Sequence, residues 1–230
     1  MAKGTTFTND LLKLLFTNIA LPLIGDAGGL QPSATAGSLY VSLHTADPGA
    51  GGSQTTSEAN YTGYGRVAVA RSAAGWTVSG SQVSNTGAVT FGLCTAGANT
   101  VGWFGVGTAL NGAGKLLYSF PLVSAYFTCT GEPTNNRILA PGSAFNVNDS
   151  IVFNAAPAGS VPAPISAGTI YFVQSIIGAA DEFKISTTLG GGVLTITNDG
   201  AALVGKIATL AVSNGITPSF AIGALTVSEG

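Results

Sequence analysis

Apolar and polar side chains alternate along much of this chain. From Leu39 to His44, the residues Leu39, Val41 and Leu43 fall on one side and Tyr40, Ser42 and His44 on the other, which is the two-residue period of a half-buried strand. The pattern breaks at Asp47-Pro48-Gly49, stays loose through a Gly, Ser and Thr stretch, and resumes with Val67 and Val69 separated by Ala68 and Ala70. Pro fixes one φ and Gly supplies positive ones, so residues 37–71 predict a strand, a long surface loop and a second strand. Short meander strands are predicted at 75–78, 82–85 and 88–91, parted by Gly80 and Thr86-Gly87. An aromatic and glycine-rich strand follows at 101–107, then another at 115–120 after the Asn111-Gly112 turn.

A helical period occurs at 5–19, where Phe7, Leu11, Leu14, Leu15 and Ile19 share a face. Thr8 or Asn9 is placed to cap its first turn, with Asp10 near its positive end. This face either packs on the body of its own subunit or docks on a neighbouring chain, and Phe7, Leu11, Leu14 and Leu15 are its candidate contacts. Pro22, Gly25, Gly28 and Gly29 end the helix and make a loop.

The chain changes character at about 124–207. Runs at 150–153, 169–173, 182–185 and 193–196 are spaced by Pro, Ala and Gly turns, as in a small antiparallel unit that could fold as its own domain. Short strands resume at 209–212 and 219–222 around Asn214-Gly215, and 225–229 is expected to close the first sheet. The fold class is therefore mainly β: an antiparallel sandwich or barrel-like core with one N-terminal amphipathic helix and an inserted small β domain.

Composition sharpens this picture. Asp, Glu, Lys and Arg make up 8% of residues, against about 25% in an ordinary globular protein. Long exposed helices usually carry charged faces, so the shortage argues again for strands and turns. With 46% hydrophobic residues there is also little colloidal repulsion, and much of the surface is expected to be covered by neighbouring subunits. A net charge of −2 with scattered Lys and Arg offers no grip on phosphate, so neither nucleic acid nor an anionic membrane is an expected partner. No run approaches the roughly 18 apolar residues of a membrane span, and the start lacks the order of a secretory signal. The expectation is a soluble chain that stays in the cell that makes it.

Chemistry is sparse. His44, with Asp47 close by and many serines, could suggest a hydrolase triad, but no Gly-x-Ser-x-Gly elbow is present and a hydrogen-bonded histidine at a strand end is the expected role. Lys115 follows Gly112-Ala113-Gly114, yet a phosphate loop would need glycine at Ala109 and Ser or Thr at Leu116. Asp149, Asp181, Glu182 and Asp199 lie on expected turns without the dense acidic spacing of a calcium loop. Tyr40, Tyr61, Tyr64, Trp76 and Trp103 could line a sugar platform, although aromatics at strand spacing more often serve a core or a subunit contact. Cys94 and Cys129 have no metal or redox spacing and read as buried free thiols. No catalytic, cofactor or metal residues are assigned, and the chain is not expected to be an enzyme.

The stretch LYVSLHTADPG at 39–49, then QTTSEA at 54–59 and YTGYGRV at 61–67, resembles a family of small tailed-bacteriophage virion proteins. The resemblance continues at 104–108, at 112–118 and at 212–218, and covers roughly 7–121 and 210–230. It implies a virion part of the kind labelled tail-fibre protein or capsid decoration (cement) protein. In shorter relatives the strand at 116–119 runs almost directly into the segment at 212–216. This implies a core domain of 1–123 with 209–230, and an inserted, outward-facing β module at 124–208. The function implied is capsid decoration on the head exterior by a homotrimer that bridges the phage major capsid protein, after synthesis in the host cytoplasm. The alternative is a tail-fibre or receptor-binding component. Asp47, Pro48, Tyr61 and Tyr64, within a loop expected to settle on a neighbour as an arm, join the helix residues as candidate partner contacts.

Overall fold

The computed structural model describes residues 3–156, 159–178 and 181–229. It divides into two compact units, Met1–Pro121 with Thr209–Gly230, and Leu122–Ala208.

The first unit opens with α1 (Thr5–Leu12), which runs on as a π-helical turn over Lys13–Thr17. Its N-cap is Gly4 without a side-chain cap, and the expected cap Thr8 lies inside the helix, its hydroxyl donating to the Gly4 carbonyl at 3.2 Å. The buried stripe is Thr8, Leu12 and Phe16 rather than the leucine-rich face predicted from the period. Phe7 is 41% and Ile19 51% exposed, while Leu11, Leu14 and Leu15 are half-buried. The π turn explains the difference: its wider i to i+5 winding keeps Phe16 in line with Leu12 and Thr8. Phe16 then packs edge-on to Trp76, with centroids 5.0 Å apart, and against Tyr118 at 5.7 Å. Asn18, at φ 57, ends the turn in the left-handed conformation that Asn tolerates.

Eight strands follow in this unit: β1 (Ser38–His44), β2 (Val67–Ala70), β3 (Trp76–Ser79), β4 (Gln82–Asn85), β5 (Val89–Thr90), β6 (Asn99–Val101), β7 (Trp103–Gly107) and β8 (Leu116–Pro121). A four-stranded antiparallel sheet has the order β2-β1-β7-β8. The predicted 101–107 strand is split at Gly102, whose N–H donates to the His44 carbonyl at 3.1 Å. β1 departs from the half-buried expectation, because Ser42 and His44 are as fully buried as Val41 and Leu43.

The second unit contains β9 (Val123–Glu132), β10 (Arg137–Leu139), β11 (Ser150–Ala155), β12 (Ile170–Ile176), β13 (Glu182–Ser186) and β14 (Ala202–Ile207). These close into a barrel in the order β10-β13-β12-β11-β14-β9. Ile138, Ile151, Phe153, Val173, Phe183, Ile185 and Val204 fill it. Phe145 bridges Phe127 at 5.8 Å and Phe183 at 5.3 Å, both edge-on. The predicted strand at 193–196 is absent: that segment is irregular and held by Leu194 N–H to the Ile185 carbonyl at 2.8 Å and Ile196 N–H to Asn136 Oδ1 at 2.7 Å.

The chain returns to the first unit through β15 (Leu210–Val212), β16 (Ser219–Phe220) and β17 (Thr226–Ser228). These pair with β6, β5 and β4 respectively, so β5 leaves the expected meander, and the last strand completes the β17-β4-β3 sheet rather than the sheet built on β1. The fold is mainly β with one N-terminal helix; its closed barrel lies in the second unit and its first unit is a set of small antiparallel sheets.

Candidate functional site

The most chemically furnished part of the first unit lies where the 45–66 loop meets β1. At the end of the strand, His44 Nδ1 donates to the Thr56 carbonyl at 2.8 Å. A carbonyl can only accept, so Nε2 is left as the acceptor for the Ser42 hydroxyl, 2.8 Å away. The pair has the outline of a Ser-His dyad, but both residues are 0% exposed and the third position is a backbone carbonyl in place of a carboxylate. No substrate can reach that hydroxyl. Burial lowers the His44 pKa, against the raising influence of the Thr56 carbonyl and Glu58, so the ring is held neutral. Its chemistry is that of a clamp.

A second clamp stands beside it. Arg66 Nε and Nη2 meet the two Glu58 oxygens at 2.7 Å each, while Nη1 donates to the Ala109 carbonyl and Nη2 to the Gly112 carbonyl, both at 2.8 Å. The Tyr64 hydroxyl donates to Glu58 Oε1 at 2.8 Å and accepts from the Leu43 N–H at 3.1 Å. Burial, then the neighbouring carboxylate, pushes the Tyr64 phenol well above its usual range, and the hydrogen bonds to Glu58 hold the Arg66 guanidinium still more firmly charged. A polar hollow of about 200 Å³ opens next to this network, with Thr55, Tyr64 and Leu110 among its walls. Four of the five Arg66 N–H donors are engaged within the protein, so the arrangement joins loop to sheet.

Gln54 is the third tie. It is 0% exposed; its Oε1 accepts from the Ala109 N–H at 2.9 Å and its Nε2 donates to the Tyr40 carbonyl at 3.4 Å. The space for it exists because Gly107 has no Cβ: one added there would fall 2.2 Å from Gln54 Cδ. The loop expected to be an arm for a neighbour is thus fastened to its own unit by Gln54, Glu58 and the backbone pairs Thr45 to Ser57 at 2.7 Å and Ala59 to Leu43 at 2.9 Å. Sequence reasoning missed Gln54, Glu58 and Arg66 as a group, since Gln54 and Arg66 find partners at 109–112 that lie more than 40 residues along the chain.

The expected contact residues separate accordingly. Pro48 is buried, and Asp47 is exposed with Oδ1 accepting the Gly49 N–H at 2.8 Å in a turn. Tyr61 is 3% exposed and donates to the Gly92 carbonyl at 3.0 Å, so it belongs to the core and not to a free surface. Tyr64 is half-buried in the Glu58 network. Among the proposed sugar-platform aromatics Trp76 is 1% exposed, and the five do not form an open platform. Phe7, Leu11, Leu14 and Leu15 remain at least partly accessible, and Arg71 holds their helix by donating to the Leu15 carbonyl at 2.7 Å and the Leu14 carbonyl at 2.5 Å. Two of the four acidic residues expected on turns of the second unit are in ion pairs: Asp149 meets Lys206 at 2.6 Å and Glu182 meets Arg137 at 2.5 Å. Among the described residues no three His, Cys, Asp or Glu side chains converge as metal ligands.

The sequence profile of the family described as podophage GP4 fiber I protein gp80 matches residues 5–138. The chain belongs to this family. The matched span runs from α1 past all four strands of the main sheet and ends in β10 of the barrel unit. No curated protein matches the chain. Membership in the gp80 family makes this a phage virion protein. Among the described residues no helix is long and apolar enough to cross a membrane.

Proposed function

We propose that the chain is a structural component of the virion's fibre apparatus, self-associating as a homotrimer and acting through contacts with neighbouring chains rather than through catalysis. The observation that carries this reading is the fiber-protein family match over 5–138. Buried Ser42 and His44, and an Arg66 held by Glu58 and two backbone carbonyls, support a role without chemistry. Apolar side chains left outside, such as Leu23 at 81%, Ile222 at 70% and Leu189 at 62% exposed, support one built on contact.

A second reading, decoration of the head exterior by bridging major capsid subunits, is favoured by the charge content of 8%, which suits a chain covered by neighbours on a lattice. Small interfaces repeated around a shell gain through effective concentration, so each contact can be weak. Copy number separates the two. On a quantified gel of purified particles, a fibre component stands at about a dozen to a few dozen copies, whereas band intensity comparable with the major capsid protein overturns the fibre reading in favour of decoration.

A further inference from the structure

The loop that follows the helix carries an unusual combination of order and exposure. Its neck is closed by reciprocal backbone hydrogen bonds, Leu21 N–H to the Leu30 carbonyl at 3.0 Å and Leu30 N–H to the Leu21 carbonyl at 2.8 Å. Inside it, Asp26 Oδ1 accepts from Gly28 N–H at 2.8 Å and Gly29 N–H at 3.0 Å. Gly29 sits at φ +65, and a Cβ there would lie 2.0 Å from the Leu21 carbonyl oxygen, so this neck admits only glycine. The loop is built to hold one shape.

That shape presents Leu23 to solvent. Leu23 is 81% exposed and stands at φ 61, a conformation a branched side chain adopts only against steric resistance. Backbone strain and apolar exposure thus fall on one residue, where a loop made only to turn would carry Gly, Asn or Asp. Ile24 at 41%, Leu30 at 47% and Ile19 at 51% exposed extend the apolar stretch along the chain. The only ionisable group between Pro22 and Leu30, Asp26, has Oδ1 turned to the loop's own amides.

A complement exists elsewhere on the same chain. The barrel unit carries a cleft of about 350 Å³ walled by Cys129, Leu139, Pro141, Ala156, Ala201 and Ala202, with Thr128 and Thr130 also lining it and no charged side chain among the described residues. Alanines make the hollow by what they lack. At the lower end of the roughly 300–1,000 Å³ range of ligand pockets, it suits two butyl-sized side chains better than an extended ligand.

We propose that the 22–30 loop is an apolar finger that docks, through Leu23 and Ile24, in the barrel cleft of a second copy of this chain. Finger and cleft are different patches, so the contact is head-to-tail, the type that makes a ring such as a trimer where its rotation closes and an open filament where it does not. Both lie on every chain, so donors and acceptors are matched one to one. The rigid neck keeps the ordering cost of docking low, and the strain at Leu23 is already present before binding. This inference rests on the self-association proposed above.

The test uses the full chain in sedimentation velocity over a range of concentrations. Leu23→Gly removes the apolar side chain and relieves the positive φ, so its thermal midpoint holds or rises while self-association weakens by roughly tenfold to a hundredfold. Thr130→Glu, an exposed strand position, weakens association to a similar extent without loss of folding. Chains with Leu23→Cys mixed with chains carrying Thr130→Cys, treated with diamide, give a mixed disulfide seen by mass spectrometry that neither variant gives alone. A wild-type chain that stays monomeric throughout overturns self-association itself. A chain that associates as before with Leu23→Gly and Thr130→Glu, and yields no mixed disulfide, leaves self-association standing and overturns the finger contact.

Discussion

Removing Arg66 tests the structural account of the 45–66 loop most directly. Its side chain is 3% exposed and that of Glu58 15%, and the pair is bidentate at 2.7 Å. Arg66→Met keeps the length of the stem but leaves a nearly buried carboxylate without its cation, and strands the Ala109 and Gly112 carbonyls. Breaking a buried pair from one side costs about 3–5 kcal/mol. Orphaned carbonyls that can find water add little, so about 3–4 kcal/mol is expected, a large share of the roughly 5–15 kcal/mol that holds a domain folded. Glu58→Gln with Arg66→Met removes both charges, and the double variant should recover part of the loss. Urea unfolding followed by Trp fluorescence reads the first unit, since Trp76 and Trp103 both lie there. The midpoint should fall with little change in slope. A loss for Arg66→Met below about 1 kcal/mol would place the pair among surface ion pairs and refute the reasoning.

Further predictions follow from other contacts. Gly107→Ala sets a Cβ 2.2 Å from Gln54 Cδ, and calorimetry should show a cost of about 1–3 kcal/mol; in Gln54→Ala the same substitution should be nearly free. Burial lowers the folded-state pKa of His44, so its contribution is present in full above the ordinary value near 6.5 and lost as pH falls below it. Glu58, Arg66 and Asp47 face the ring, and His44→Gln should flatten that part of the stability curve between about pH 7 and 5 without touching Arg66. Burial pushes the Cys129 thiol up to about 12, so maleimide at pH 7 should label it only when urea opens the barrel, as read by peptide mapping; prompt labelling of the native chain contradicts its burial. Replacing 122–208 with a Gly-Ser link should leave the near-ultraviolet circular dichroism of Trp76 and its melting transition in place, and collapse of that transition argues against separate units.

Periodicity carried the fold class and most strand positions because alternation is a local signal: β1, β2, β3, β4 and β8 stand within a residue or two of the predicted runs. What it could not carry was pairing. β5 joins β16 and β17 joins β4, choices set by contacts more than a hundred residues apart. The helix shows a related limit. Leu11, Leu14 and Leu15 share a face at 3.6 residues per turn, yet the π turn lets the larger Phe16 take the buried place against Trp76. The irregular segment at 193–196 looked like a strand since Val193, Leu194, Thr195 and Ile196 are rich in β-branched and apolar side chains; its Ile196 is indeed buried, but its N–H bonds to Asn136 rather than to a ladder. The loop network was the least accessible of all, because Arg66 reads as a flanking charge until Glu58 and the 109–112 turn are folded against it.

Arg71 also imposes an order of events during synthesis. Its guanidinium binds the carbonyls that end the helix, across 56 residues from Leu15. At about 5–20 residues per second, the ribosome makes the helix roughly 3–11 seconds before this partner exists. Phe16 must wait about as long for Trp76, the surface it packs on. For that interval a nearly uncharged amphipathic segment stands outside the ribosome without the surface that buries Phe16, so slower translation lengthens the time its apolar face is open to other chains.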